Sequence, residues 1–449
     1  MTRKLCATTF QAIVEDPGFM RAFFFLPHLE VSGGLGVHCR MLLEVMFGAK
    51  DLELVVAVPD KPRDLFPKSG IENISDILGP WGDRLRLVRV DWPGGRSLAL
   101  PLDDLLSPVI QEAYPSNTGT VSGKNGPDIC LSSYYTGFVD PPCPQIVVWH
   151  DSGFLENPER FGEAAKIRLE TQAKILPRLD TLLCISGDAR DRFVSRGCVP
   201  REKTRVIWHC LTDIDPEKPG VQNTRKIDNA SLSLGAIPLY PGGPSIKDLG
   251  EFWFSPVGAA TGFNRTRKNL PVLVDGMREF ARQNHYEKSP TRLVVASTGV
   301  LDEQMIADLL PQGEKGTHQL GCWISAKGDL ILLPNLERAR FLDCMAASQG
   351  VVYPSRHEGF GLPIIEAMAF GLPVIAARAT SIPEVGGDAA ILVDPDDGIG
   401  MAREMARLTN DPHASELLGA LGRERARTHF TIARAQREII SLFKNLINS

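Results

Sequence analysis

The stretch from Gly350 to Ala377 constrains this chain more than any other part of it. Gly350-Val-Val-Tyr-Pro354 is a short apolar run and reads as a buried strand. Ser355-Arg-His-Glu-Gly-Phe-Gly361 then forms a glycine-rich turn, and Leu362 to Phe370 has the composition of a helix. Pro363 fits the helix start, and Gly371 fits the left-handed residue that ends it. Pro373-Val-Ile-Ala-Ala377 reads as the next strand. A strand–loop–helix–strand unit of this kind opens its loop at the carboxyl end of a strand, where open α/β sheets bind ligands. The backbone N–H groups of Gly361 and Leu362 at the helix start favour a phosphate. Glu358 in the loop and Glu366 on the helix suit neutral hydroxyls beside it.

Length sets the scale of what surrounds this unit. With 449 residues the chain has material for two or more domains with full cores. A net charge of −5 gives no electrostatic footprint for nucleic acid. Nine scattered cysteines without a CxxC pair fit reduced thiols in a cytoplasm better than a disulfide framework. The start, Met1-Thr-Arg-Lys-Leu5, has no long apolar run, and no segment reaches the length that spans a bilayer. A protein soluble in the cytoplasm, or at most peripheral to a membrane, is expected.

Strands and helices alternate along the chain. Arg21–Leu26 reads as the first buried strand, followed by a loop ending in Gly33-Gly-Leu-Gly36 and a helix to about Phe47. Further strands are expected at 52–58, 85–90, 128–132, 145–149, 181–186 and 204–207. A turn-rich stretch from Asp213 to Gly250 breaks the pattern. A second run has strands at 254–261, 292–296, 330–333, 350–353 and 374–376, and three helices close the chain. The expected division is an N-terminal Rossmann-like domain over 1–215, a linker or insertion over 216–250, a C-terminal Rossmann-like domain over 251–430 and a final helix over 431–449. Such alternation predicts mostly parallel sheets covered by helices.

Three further constellations carry chemistry. Gly33 and Gly34 let a ligand approach the backbone closely, although the spacing is not the dinucleotide fingerprint and a plain tight turn is the alternative. Arg265-Thr-Arg-Lys-Asn269 follows the first strand of the second domain, so Arg265, Arg267 and Lys268 match a diphosphate, with a solvated helix cap of exposed charges as the alternative. Val147-Val-Trp-His-Asp151 puts His150 at a strand end, where it either binds a ligand or bonds to backbone; His209 is equally ambiguous. Cys and His show no zinc spacing, and no hydrolase, protease or P-loop motif is present.

These residues together resemble the retaining glycosyltransferases of family 4, over nearly the whole chain. The E-x7-E motif stands as Glu358 and Glu366, and Ser381-Ile-Pro-Glu-Val-Gly-Gly-Asp388 continues the likeness. Trp149-His-Asp151, Cys184-Ile-Ser-Gly187 and Arg267-Lys-Asn269 support it. The resemblance implies the GT-B fold, two facing Rossmann-like domains with an interdomain cleft, with the last helix packing back on the N-terminal domain. It implies Glu358, His150 and Lys268 as catalytic residues. Glu366 would hold the ribose, and Arg265, Arg267 and Lys268 the diphosphate. Gly33, Gly34 and the backbone of Phe360, Gly361 and Leu362 would line the donor. Many relatives carry an Arg directly after the Gly that here is Gly262, so either Arg265 substitutes for it or the phosphate site is weaker.

By the same resemblance the donor is a GDP- or UDP-linked sugar, with mannose favoured, and neither metal nor cofactor is expected. The acceptor is a glycan or a lipid-linked glycan, which would bring the protein to the inner membrane face. Two other readings share the fold: a sugar-nucleotide 2-epimerase and a degenerate sugar-nucleotide-binding scaffold. Glu358→Ala is expected to cause a severe loss of turnover with little effect on folding, since a loop residue supports little core.

Overall fold

Strand β1 (Met20–Phe25) shows how the N-terminal half is built. Its residues from Ala22 to Phe25 are all buried, because both faces of the sheet are covered. Ala22 and Phe24 point into one apolar cluster, and Phe23 and Phe25 into another. A strand buried on both faces reads as a continuous apolar run, not an alternating one. The computed structural model describes residues 20–27, 34–59, 79–90, 102–114, 126–133, 136–150, 162–212, 214, 238–240, 244–258, 263–285, 291–310, 317–319 and 322–449. Most of the 216–250 segment and Gly33, Asp151 and Gly262 lie outside these residues.

The N-terminal sheet has the order β3-β2-β1-β4-β5-β6-β7, with every pairing parallel. The strands are β2 (Leu52–Pro59), β3 (Leu85–Val90), β4 (Ile129–Ser132), β5 (Gln145–Trp149), β6 (Thr181–Cys184) and β7 (Thr204–Val206). The order reverses between β1 and β4, which is the topological switch point of a doubly wound sheet.

The C-terminal sheet has the order β10-β11-β12-β9-β8-β13-β14-β15. Its parallel body comprises β8 (Trp253–Val257), β9 (Leu293–Ser297), β12 (Leu330–Leu333), β13 (Val351–Tyr353), β14 (Val374–Ala377) and β15 (Ile391–Val393). Two short strands, β10 (Thr317–Gln319) and β11 (Cys322–Ile324), extend one edge antiparallel. These two and β15 are absent from the sequence reading; at three residues each they are too short to show a period. The switch point here lies between β8 and β13. Both halves are thus Rossmann-like, and together they form the GT-B architecture.

Two glycines let neighbouring elements touch. A Cβ on Gly276 would come within 2.1 Å of the Gly398 carbonyl carbon, so helices Leu270–Gln283 and Gly398–Asn410 cross backbone to backbone. The last helix, Ile432–Ile447, leaves the C-terminal half and packs on helix Gly34–Phe47 and on β4, with Phe443 edge-on to Phe24 at 6.0 Å. Among the described residues no helix is long and apolar enough to cross a membrane.

Candidate active site at the strand ends

The chain leaves β8 and, after the undescribed residues 259–262, enters a six-residue helix, Phe263–Lys268. The basic segment is therefore helical and not an open loop. Helix formation ends at Asn269, whose left-handed backbone (φ 57°) turns the chain into the helix Leu270–Gln283. Asn269 accounts for itself by bonding elsewhere: its Nδ2 donates to the carbonyls of Pro354 and Pro395. The Arg356 N–H donates to the Arg267 carbonyl at 2.8 Å. These bonds fix the basic segment against the loop that follows β13.

That loop carries Glu358. Its backbone N–H donates to Thr380 Oγ1, and Ser381 Oγ donates to the carbonyls of Glu358 and Phe360. Gly361, at φ 101°, then turns the chain into the helix Leu362–Ala369, a conformation that only glycine adopts without strain. Leu362 is the first helical residue, so Pro363 stands one place further in than the sequence suggests.

Fixed in this way, Lys268 and Glu358 meet in a buried ion pair, Nζ to Oε1 at 2.7 Å. Lys268 Nζ also lies 5.4 Å from the centre of the Tyr353 ring. Burial alone would raise the Glu358 carboxyl, but the Lys268 ammonium and then Arg267 outweigh it and hold it down at about 2. Burial pulls the Lys268 ammonium below its ordinary range, and the Glu358 charge offsets part of that. Glu366 is also buried, and Arg338 grips it with Nη2 to Oε1 at 2.5 Å. The Glu366–Arg338 pair borders a small gap shared with Val37, Leu211, Thr212 and Leu362, so it faces the N-terminal half.

On the opposing face, His150 Nε2 bonds to the Ser133 carbonyl at 2.7 Å. His38 and His209 stand beside it, with His38 Nδ1 and His209 Nε2 3.2 Å apart. The His209 ring stacks on Phe360 at 5.0 Å, which joins this cluster to the Glu358 loop. Helix Gly34–Phe47 begins at Gly34, so Gly34 to Gly36 form its first turn and not a preceding loop. Arg265 belongs to helix Phe263–Lys268, with its side chain outside the described set.

The fold brings together Lys268, Glu358 and Phe360, with His150 across the cleft through His38 and His209. Sequence reasoning missed Arg338, which sits in no motif, and His38, which lies 171 residues from its partner His209. It also quoted Ser381 and Glu384 without giving them work. Glu384 is an interdomain clasp: its carboxylate accepts from Gly187 N at 2.7 Å, Asp188 N at 3.1 Å and Trp208 Nε1 at 2.5 Å. The first two donors open the helix Gly187–Val194, where the helix dipole favours an anion.

Residues 256–411 match the family model described as glycosyl transferases group 1. Over 101 residues the chain is 39% identical to the O-antigen chain mannosyltransferase B of Escherichia coli, a match covering 22% of this chain and 26% of that protein. The chain thus spans about a quarter of that relative. Two solved structures share its fold along nearly the whole length. Sucrose-phosphate synthase from Thermosynechococcus elongatus has a TM-score of 0.62 at 19% identity, covering 96% of this chain and 99% of that one. Anabaena HepE in complex with UDP has a TM-score of 0.63 at 16% identity, covering 95% and 100%.

Proposed function

We propose that this protein is a retaining glycosyltransferase that moves a hexose, mannose in preference, from a nucleotide sugar to a glycan or lipid-linked acceptor. The observation that carries this reading is the buried Lys268–Glu358 pair. It lies at the carboxyl ends of two adjacent strands, within the segment that matches the glycosyl transferase family.

The roles follow from the chemistry of each group. Glu358 is ionised well below neutral pH, so it accepts hydrogen bonds from the donor-sugar hydroxyls and faces the positive charge that develops on the sugar. An ammonium has three donors; Lys268 uses one on Glu358 and one on Tyr353 Oη at 3.4 Å, so the third can reach the leaving diphosphate. Arg267, and Arg265 from the same short helix, add charge there. Glu366 takes the ribose hydroxyls when Arg338 shares or releases it. Phe360, Gly361 and Leu362 supply backbone contacts to sugar and phosphate, and Gly34 opens the facing helix toward them. His150 contacts the donor sugar from the N-terminal side.

In a front-face step, the bond from the anomeric carbon to the diphosphate oxygen breaks with its electron pair on that oxygen. The acceptor oxygen bonds to the carbon on the same face, and its proton passes to the departing phosphate. The cationic side chains take the place of a metal at the diphosphate.

Melting of the purified chain with GDP, UDP or ADP, each with a chelator present, tests the donor site. A ligand that binds only the folded state raises the melting temperature by mass action. One nucleotide should do so clearly; no shift with any of them sinks the donor-site reading. With the matching nucleotide sugar, nucleoside diphosphate release should require an acceptor. Acceptor-free conversion of the sugar would replace transfer by epimerisation.

A further inference from the structure

The turn-rich stretch that breaks the strand–helix alternation has a described part that reaches the carboxyl end of the second sheet. Pro238 and Ser245 form an antiparallel bridge, and the Leu239 N–H donates to the Pro244 carbonyl at 2.8 Å. Leu239, Ile246 and Leu249 are buried in the large apolar cluster, so this piece is anchored. The Tyr240 ring packs against the same cluster, and its Oη donates to the Pro334 carbonyl at 2.5 Å.

Pro334 directly follows β12, which runs parallel to β9 and, through it, to β8 and β13. It therefore lies at the same edge of the sheet as Lys268 and Glu358. The short segment from Pro334 to Glu337 leads into the helix Arg338–Ala346. Within it, Asn335 takes a left-handed backbone (φ 55°) and its N–H donates to the Gly299 carbonyl, while the Leu336 N–H donates to the Ser297 carbonyl. Glu337, at the helix start, makes no side-chain cap. The position of the first turn is thus set by what holds the segment before it. The first residue of that turn is Arg338, which grips Glu366. Pro334 is buried, and without the Tyr240 hydroxyl its carbonyl would lose this donor. A buried carbonyl without a donor is costly, so the segment would shift toward water.

We propose that Tyr240 is a positioning residue for the donor: through Pro334 and Arg338 it orients Glu366, and so governs discrimination of a ribonucleotide from its 2′-deoxy form. This rests on the reading that Glu366 takes the ribose hydroxyls. Tyr240 acts through these residues and not on the substrate. Arg338 holds Glu366 Oε1 at 2.5 Å and Oε2 only at 3.4 Å, which leaves Oε2 the freer acceptor for a ribose hydroxyl. A hydroxyl gains most from a carboxylate oxygen that is held at short distance and in line. A loosened helix start lets Arg338 and the carboxylate rotate, and the 2′-hydroxyl then counts for less. The stretch that interrupts the alternation thereby contributes to specificity from outside the local motif that carries Glu366.

The test is calorimetric measurement of Kd for GDP, UDP and ADP and for their 2′-deoxy forms, with the full chain. For the nucleotide that binds, the parent should prefer the ribo form at least about tenfold, as the loss of a hydrogen bond to a charged group predicts. Tyr240→Phe should cut that preference at least about threefold, because the bond is misaligned and not removed. Arg338→Gln should cut it as well, and adding Tyr240→Phe to Arg338→Gln should change the ratio no further. A lowered melting temperature in Tyr240→Phe with the parent's ratio intact is what a merely structural role gives, and it overturns the proposal alone. An additive further loss in the double variant overturns the route through Arg338. A parent that binds no nucleotide, or binds both forms equally, overturns the proposal together with the ribose reading. If Tyr240→Phe does not fold, hydrogen exchange in the parent decides: nucleotide must slow the amides of residues 239, 240 and 335–337, and unchanged exchange there refutes the link.

Discussion

The two halves of this molecule finish their strands in opposite ways. At the carboxyl ends of β8 and β13, charged groups are buried and each has a partner: Lys268 with Glu358, and Glu366 with Arg338. At the ends of the N-terminal strands, three imidazoles are buried, and two of their nitrogens have no partner. Buried charge is tolerable only when paired, whereas a neutral ring can be buried with its polar atoms unmatched at moderate cost. The C-terminal end is thus built so that its members cannot be removed singly. The N-terminal end is held together by neutral groups whose mutual pairing is incomplete.

The largest effect should come from breaking the charged end. Lys268→Met leaves Glu358 buried without its cation and should cost about 3–5 kcal/mol in urea unfolding. Glu358→Ala should cost a similar amount, which changes the expectation that a loop residue matters little to folding. Replacing both, as Lys268→Met with Glu358→Leu, should recover most of the stability and none of the transfer. A double variant as unstable as the singles would show that the pair stabilises by more than mutual neutralisation. The pH dependence has a defined sign. The folded Glu358 carboxyl, at about 2, lies below its ordinary value near 4.5, so its contribution is complete above about pH 4.5 and is lost as pH falls toward 2. Glu358→Gln should flatten that part of the stability curve.

The contrast between the halves also governed what could be read from the residues alone. The C-terminal end was legible because β13, the Glu358 loop and helix Leu362–Ala369 are consecutive, so a local motif carries the geometry. The alternation of strands and helices likewise foretold two parallel sheets. The histidine cluster was not legible. Its members are at 38, 150 and 209, and only the sheet order brings them to one place. Arg338 was hidden for the same reason, 28 residues ahead of its carboxylate. Glu384 was visible but unexplained, because its partners Gly187, Asp188 and Trp208 lie in the other half.

Glu384 ties the two ends together and should show the next largest effect. Glu384→Ala removes three charge-assisted hydrogen bonds and should lower stability by about 2 kcal/mol. Glu384→Gln keeps an acceptor and should lose less. Limited proteolysis should show whether the halves separate before they unfold; unchanged cleavage in Glu384→Ala would mean that the remaining contacts, among them the helix Ile432–Ile447 and the His209–Phe360 stack, hold them. Ser381→Ala should cost less, about 1 kcal/mol, since one hydroxyl serves two carbonyls. Its sharper readout is a severalfold rise in KM for the nucleotide sugar as the Glu358 loop loosens. A fall in kcat with KM unchanged would place its effect elsewhere.

The neutral end completes the comparison, and replacing both of its paired imidazoles should have the smallest effect of all. His209→Phe alone strands both nitrogens of His38, so it should cost about 1–3 kcal/mol. His38→Leu with His209→Phe removes both members of the pair, keeps an aromatic ring against Phe360, and leaves no unmatched nitrogen on either residue. In a chelating buffer this double variant should stay within about 1 kcal/mol of the parent, because replacing both partners by apolar groups of similar shape is nearly neutral. Unlike the charged pair, the two imidazoles then contribute little to the unliganded fold. Were the double variant to lose as much as Lys268→Met does, the two ends would be equally structural.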